Sequence, residues 1–153
     1  MSDFSPARRV TEDSIAVVKK FFDDLRAALN GAATNPYATF SEDVEFVVTG
    51  QTPLSGTWRG MRAVREEFFP AASPLMGRAP GHGLFPLEFI AEGNRVAVLA
   101  RGRGSNTLGM PYNNTYFLWF DVENGFITRY IEDFDSSLAW RVIFRCHLEQ
   151  AGT

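Results

Sequence analysis

Residues 111–135, PYNNTYFLWFDVENGFITRYIEDFD, govern how the remainder of the chain is read. Two alternating runs, 112–121 and 126–134, flank Glu123-Asn124-Gly125, and Asn-Gly is the dipeptide that tight hairpin turns favour. In a strand, successive side chains point to opposite faces. One face of the first run then carries Tyr112, Asn114, Tyr116, Leu118 and Phe120, with Phe117 and Trp119 opposite. In the second run, Thr128, Tyr130, Glu132 and Phe134 share a face, and Ile127, Arg129, Ile131 and Asp133 share the other. Three carboxylates, Glu132, Asp133 and Asp135, crowd the end of this run. Alternation turns Glu132 inward among aromatic rings and Asp133 outward. Asp135 or Ser136 suits the cap of a last helix bearing Leu138, Val142 and Ile143.

Working upstream, 85–91 and 95–104 read as two further strands joined by an Glu92-Gly93-Asn94 turn. In the second of these, Ala97, Leu99, Arg101 and Arg103 share one face and Val96, Val98 and Ala100 the other. DVEFVVT (43–49) is a strand with Val44, Phe46 and Val48 on one side. From Thr11, the spacing of Ile15, Val18, Phe22, Leu25 and Leu29, widened by Phe21, predicts an amphipathic helix. Glu12 and Asp13 suit its first turn, and Asn30-Gly31 its end. A short helix follows near Tyr37, GQTPLSGTWRG (50–60) is turn-rich, and MRAVREEFF (61–69) predicts a second helix stopped by Pro70. The glycine- and proline-rich stretch 72–83 is a loop able to cover a cavity mouth. Residues 1–10 read as a loose arm and 11–150 as one domain. Helices first and a long meander later give an α+β class: a curved antiparallel or mixed sheet wrapped around N-terminal helices.

The 153 residues suffice to bury about two-thirds of the unfolded surface. A net charge of -3 without a basic stripe excludes a dedicated nucleic-acid binder. The single cysteine, Cys146, and the lack of a Cys/His cluster exclude a disulfide scaffold and a structural zinc site, so no metal is expected. Neither a secretion signal nor a long uncharged apolar run is present, and a cytoplasmic chain without a membrane partner is the expectation. Both sheet faces are apolar, which predicts a homodimer through the sheet. No phosphate loop or nucleophile elbow is found, and no cofactor is inferred.

Glu132 is the sharpest candidate for chemistry. Loss of water would raise its carboxyl pKa toward acid–base usefulness, whereas a neighbouring arginine would lower it. Arg101 and Arg103, placed in the same pocket, would leave one net positive charge and favour an anionic substrate. Asn114 and Tyr116 could donate hydrogen bonds to a developing oxyanion. Tyr130 and Phe134 share the pocket face, and His82 sits on the loop that could close over it. His147 is discounted.

GTWRGMRAVREEFF (56–69) and PYNNTYFLWFDVENGFITRYIEDFD (111–135), in this order of elements, resemble the SnoaL-like or ketosteroid-isomerase superfamily, with the cone fold of nuclear transport factor 2. The resemblance implies a cystatin-like cone with an internal pocket, in which Phe22, Phe46, Val48 and Trp58 join the substrate-binding residues. It places Arg101 on the arginine of the epoxide-hydrolase branch and Glu132 on one of its acids, with Arg103 where the second acid stands. Phe46 and Val48 stand where that branch has a tyrosine and an asparagine. The positions of the steroid-isomerase aspartate and tyrosine hold Val47 or Val48 and Phe22. In the phenazine-biosynthesis branch the pocket glutamate aligns with Glu132, and the helical histidine falls near Glu67. The implied activity is cofactor-independent acid–base chemistry (isomerisation, cyclisation or dehydration) on a small molecule, with Glu132 and Arg101 catalytic. A non-catalytic binding module and a water-adding hydrolase are the alternatives.

Overall fold

The computed structural model describes residues 6–145. Helix α1 (Pro6–Leu29) is followed by a single tight turn of helix (Pro36–Thr39) and strand β1 (Phe40–Val48). Strand β2 (Gly56–Arg59) leads into a helix built of three continuous pieces, Met61–Ala63, Val64–Phe68 and Phe69–Ala72. Strands β3 (Gly83–Glu92), β4 (Arg95–Arg103), β5 (Thr115–Glu123) and β6 (Phe126–Phe134) then form the meander. The six strands lie in the order β2-β1-β6-β5-β4-β3. Only the β1–β6 pairing is parallel, and it sets Val48 beside Glu132.

The curved, unclosed sheet wraps α1. Phe21 and Phe22 are fully buried, and the Phe21 ring lies 5.2 Å from Phe40 and 5.8 Å from Phe120. Emptying such a site by Phe→Ala costs about 3–5 kcal/mol, so this contact does much to hold helix and sheet together. Both Asn124 (φ 51°) and Gly125 (φ 80°) have positive φ, as the hairpin turn requires. Asp135 caps the last helix: its carboxylate accepts from the Ser137 and Leu138 N–H groups at 2.9 and 3.1 Å.

Several boundaries differ from the sequence expectation, each for a local reason. Helix α1 starts at Pro6 rather than Thr11, so residues 6–10 are not a loose arm. Proline suits a first helical turn, and an Arg8–Glu12 ion pair (2.9 Å) spans one turn of the extension. Glu12 and Asp13 consequently lie beyond the first turn. Pro70 does not stop the second helix, because the widened turn Val64–Phe68 precedes it: the Phe69 N–H donates to the Val64 carbonyl, five residues back. The turn-rich segment holds β2, short and at the sheet edge. A bulge opposite Asp121 and Val122 gives β6 one extra residue near Thr128. It reverses the local parity, so Ile127 enters the core although alternation puts it outside. From Arg129 onward the expected alternation holds. Cys146, His147 and residues 146–150 of the predicted domain lie outside the described residues.

Candidate functional site

Between α1, the sheet and the loop 73–83 lies a chamber of about 220 Å³. Its walls include Phe21, Phe46, Phe68, Leu84 and Met76, and its polar lining centres on Glu132. A second chamber of about 170 Å³ opens from the same carboxylate toward the last helix, lined by Val48, Leu54, Phe134 and Ile143. Glu132, Tyr112 and Tyr116 line both, so the acid stands where the two chambers meet.

Strand pairing puts Glu132 here. It lies between Leu118 of β5 and Val48 of β1 on the concave face, and Tyr116 lies opposite Phe134 one step along. The small residues of β4 make the room. Ala100 and Gly102 face inward, and a Cβ on Gly102 would come within 2.7 Å of the Tyr116 ring. Only glycine allows the tyrosine to lie flat across the strand there.

The Tyr130 hydroxyl donates to Glu132 Oε2 at 2.7 Å. Among the described residues no cation pairs with Glu132. The side chain is half-buried, and what it leaves open faces the chamber it lines. Burial raises the carboxyl above its ordinary value, and the Tyr130 hydrogen bond opposes that only in part.

All four tyrosines of the chain, Tyr37, Tyr112, Tyr116 and Tyr130, line the chamber around this group. Burial raises each phenol first, and the nearby Glu132 charge adds to the effect. These hydroxyls therefore stay protonated and act as donors. Glu132 is left as the chamber's acid–base group, its carboxyl raised by burial toward proton exchange. The Tyr112 and Tyr116 hydroxyls interact, whereas the Tyr37 hydroxyl makes no hydrogen bond to another described residue. A buried phenol normally finds a partner, so Tyr37 is poised to donate to a molecule in the chamber.

The structure brings Glu132, Tyr116, Tyr130, Phe46 and His82 together at the first chamber, and Val48 and Phe134 at the second. Arg101 is a correction. The buried face of β4 is Val96, Val98, Ala100 and Gly102, so period two sends Arg101 to the outer face. There its guanidinium donates to Thr115 Oγ1 at 2.7 Å. The two faces have the expected members, but the side is reversed. Arg103 also points outward, over the Phe85 ring at 5.2 Å, and reaches only the chamber's rim. Two arginines thus do not flank Glu132, and the expected positive pocket becomes an apolar one around a single acid.

Asn114 is not an oxyanion donor. Its amide donates to Tyr112 Oη (2.9 Å) and the Asp135 carbonyl (3.0 Å), leaving no hydrogen free. It fixes the approach to β5, which starts at Thr115 rather than Tyr112. Phe22 is sealed in the core, and Phe21 takes its place in the chamber wall. Trp58 packs against Phe46 and Phe68 behind that wall. Asp133 lies outside, held by the Thr49 hydroxyl. Tyr37 and Tyr112 are the residues the sequence reading missed as site members. The available signal was that a chain with only four tyrosines places two of them on the inward strand face and one beside it. Among the described residues, no group of three His, Cys, Asp or Glu side chains could hold a metal, and no helix is long and apolar enough to cross a membrane.

The family model of the SnoaL-like domain matches residues 18–130. No curated protein matches the chain significantly. Among solved structures, an NTF2-like protein from Burkholderia xenovorans LB400 is 26% identical, with a TM-score of 0.65, covering 87% of this chain and 97% of its own. TerC, crystallised with polyporic acid, is 23% identical at a TM-score of 0.71, covering 85% and 97%. A proposed SnoaL-like polyketide cyclase from Jannaschia sp. CCS1 is 14% identical at a TM-score of 0.70, covering 94% and 97%.

Proposed function

This chain belongs to the SnoaL-like domain family, and from that premise we propose that it is a small-molecule enzyme performing acid–base chemistry in the cone, of isomerase, cyclase or dehydratase type. The observation that carries the reading is Glu132: a carboxylate without a cation, raised by burial, held by one tyrosine and ringed by three more. Glu132 takes a proton from the carbon next to a carbonyl and returns it at another atom of the substrate. The charge that develops on the carbonyl oxygen is met by a phenol, Tyr37 or Tyr116, whose raised pKa keeps it a donor. Two carboxyl-lined chambers suit a substrate with apolar ends on both sides of the reacting atoms. The chemistry needs no group beyond these side chains, and the cytoplasm is the proposed setting.

The likeness of the fold to a proposed polyketide cyclase and to a protein co-crystallised with polyporic acid agrees with small organic substrates. Water addition of the epoxide-hydrolase kind is disfavoured, because Phe46 and Val48 offer no second polar group to hold the water. We also propose a homodimer through the outer sheet face. Ile90, Phe117 and Trp119 are exposed there, around a groove completed by Leu99 and Ile131.

Glu132→Gln keeps the shape of the side chain and removes its proton exchange. Turnover of a substrate, once found by screening small ketones and enols, is expected to fall ~10² to 10⁴-fold while ligand affinity persists. Unchanged turnover would remove Glu132 from the mechanism. A ligand that binds without turnover in either protein would point to the non-catalytic binding module.

A further inference from the structure

At the mouth of the chamber lies a groove of about 630 Å³. One wall is the loop carrying Arg78 and His82; the other is the end of β4, with Arg101 and Arg103, running into the turn at 105–111. No carboxylate lines it. Among the described residues, none of the three arginines has an ion-pair partner, although the chain as a whole carries a net charge of -3. Elsewhere several arginines do sit beside acids: Arg59 and Arg129 share Glu45, and Arg65 pairs with Glu42. Three uncompensated guanidiniums on one groove repel one another, and an anion between them removes that repulsion.

The walls are held in place. The Asn30 side chain ties the loop to α1, accepting from the Gly81 N–H at 3.0 Å and donating to the His82 carbonyl at 3.2 Å. The Gly77 N–H donates to the Ser105 carbonyl at 2.8 Å, joining the two walls. Arg101 is steadied by Thr115 Oγ1 and Arg103 by the Phe85 ring. The groove also continues into the chamber. His82, Gly102, Arg103 and Gly104 line both spaces, so one molecule can occupy groove and chamber together.

We infer that this groove binds a phosphate-class dianion carried by the substrate, whose apolar part enters the chamber. Guanidiniums grip phosphate oxygens in pairs, and three of them balance a charge near –2 better than a single carboxylate does. The inference rests on the reading of the chamber as the reaction site. It corrects where the anion would sit: the arginines hold it outside, about a groove's length from Glu132, rather than beside the acid.

The test uses phenyl phosphate, inorganic phosphate, phenol and benzoate as probes, by calorimetry at fixed ionic strength. The proteins are the wild type, Arg78→Gln, Arg101→Gln, the double variant and Glu132→Gln. All four variants are checked for an unchanged fold by circular dichroism. Phenyl phosphate is expected to bind at least tenfold more tightly than benzoate or phenol, and inorganic phosphate to compete with it. The double variant should lose tenfold or more. Equal binding of benzoate and phenyl phosphate, or equal binding by wild type and double variant, overturns the site. If the double variant binds normally while Glu132→Gln abolishes turnover, the groove falls and the chamber stands. Lost phosphate binding in the double variant, with turnover intact in Glu132→Gln, gives the reverse.

Discussion

Replacing Glu132 by glutamine should stabilise the protein, and should do so only above acidic pH. Burial raises the carboxyl above its ordinary value of 4.5, so the folded chain holds that proton more tightly than the unfolded one. For a group shifted in this direction, the associated stability is fully present below the unfolded value and is lost as pH rises through the folded value. Glutamine cannot ionise and suffers no such loss, yet its carbonyl still accepts the Tyr130 hydroxyl. Each tenfold difference in proton affinity between the two states is worth about 1.4 kcal/mol. In a domain of this size that corresponds to roughly 3–6 °C in melting temperature. The Tyr130 bond offsets part of the burial, so the gain reflects the difference of the two effects. Paired thermal melts from pH 4 to pH 9 need no substrate. The melting temperatures should coincide near pH 4, diverge in favour of the variant as pH rises, and run parallel once the carboxyl is fully ionised. A difference that is flat with pH would refute the reasoning, as would a wild type that gains on the variant with rising pH. The latter is the sign of a carboxylate paired with a cation.

Tyr130→Phe removes the donor from Glu132 and should cost about 1.5–3 kcal/mol in urea unfolding at a pH well above the Glu132 midpoint, and less at pH 4. Arg101→Ala tests the reversed face of β4: an exposed side chain should change stability by about 0–1 kcal/mol in a thermal melt, whereas a loss of about 3–5 kcal/mol would restore it to a buried pair with Glu132. Phe117→Glu combined with Trp119→Glu should convert the proposed dimer to folded monomer in sedimentation velocity. A wild type already monomeric at high concentration would contradict that interface.

The hairpin about Asn124-Gly125 and the alternation of 129–134 were legible because a strand half-buried on a curved sheet imposes period two on its side chains. That is why Glu132 could be singled out from Asp133 and Asp135. Which side of β4 faces the cone was not legible. Val96, Val98 and Ala100 form one apolar row and Ala97 and Leu99 another, so the outward signal of Arg101 and Arg103 at the end of the second row is masked by an outer face that is itself apolar. The bulge at Thr128 adds a residue without any proline or glycine to mark it, so Ile127 could not be placed. Pro70 misled for a different reason. A widened helical turn absorbs the missing N–H, and nothing in MRAVREEFF signals it. Tyr37 comes from a short turn far from the strands, and only the fold brings it to the chamber.

The most direct test of the proposed acid–base group is its own titration. Selective ¹³C labelling of glutamate side chains, with the Glu132 signal assigned by its loss in Glu132→Gln, follows this one carboxyl through pH 3 to 10. The midpoint should lie clearly above the ordinary 4.5 and shift further upward in Tyr130→Phe as the opposing hydrogen bond is lost. A midpoint at or below 4.5 would contradict that role.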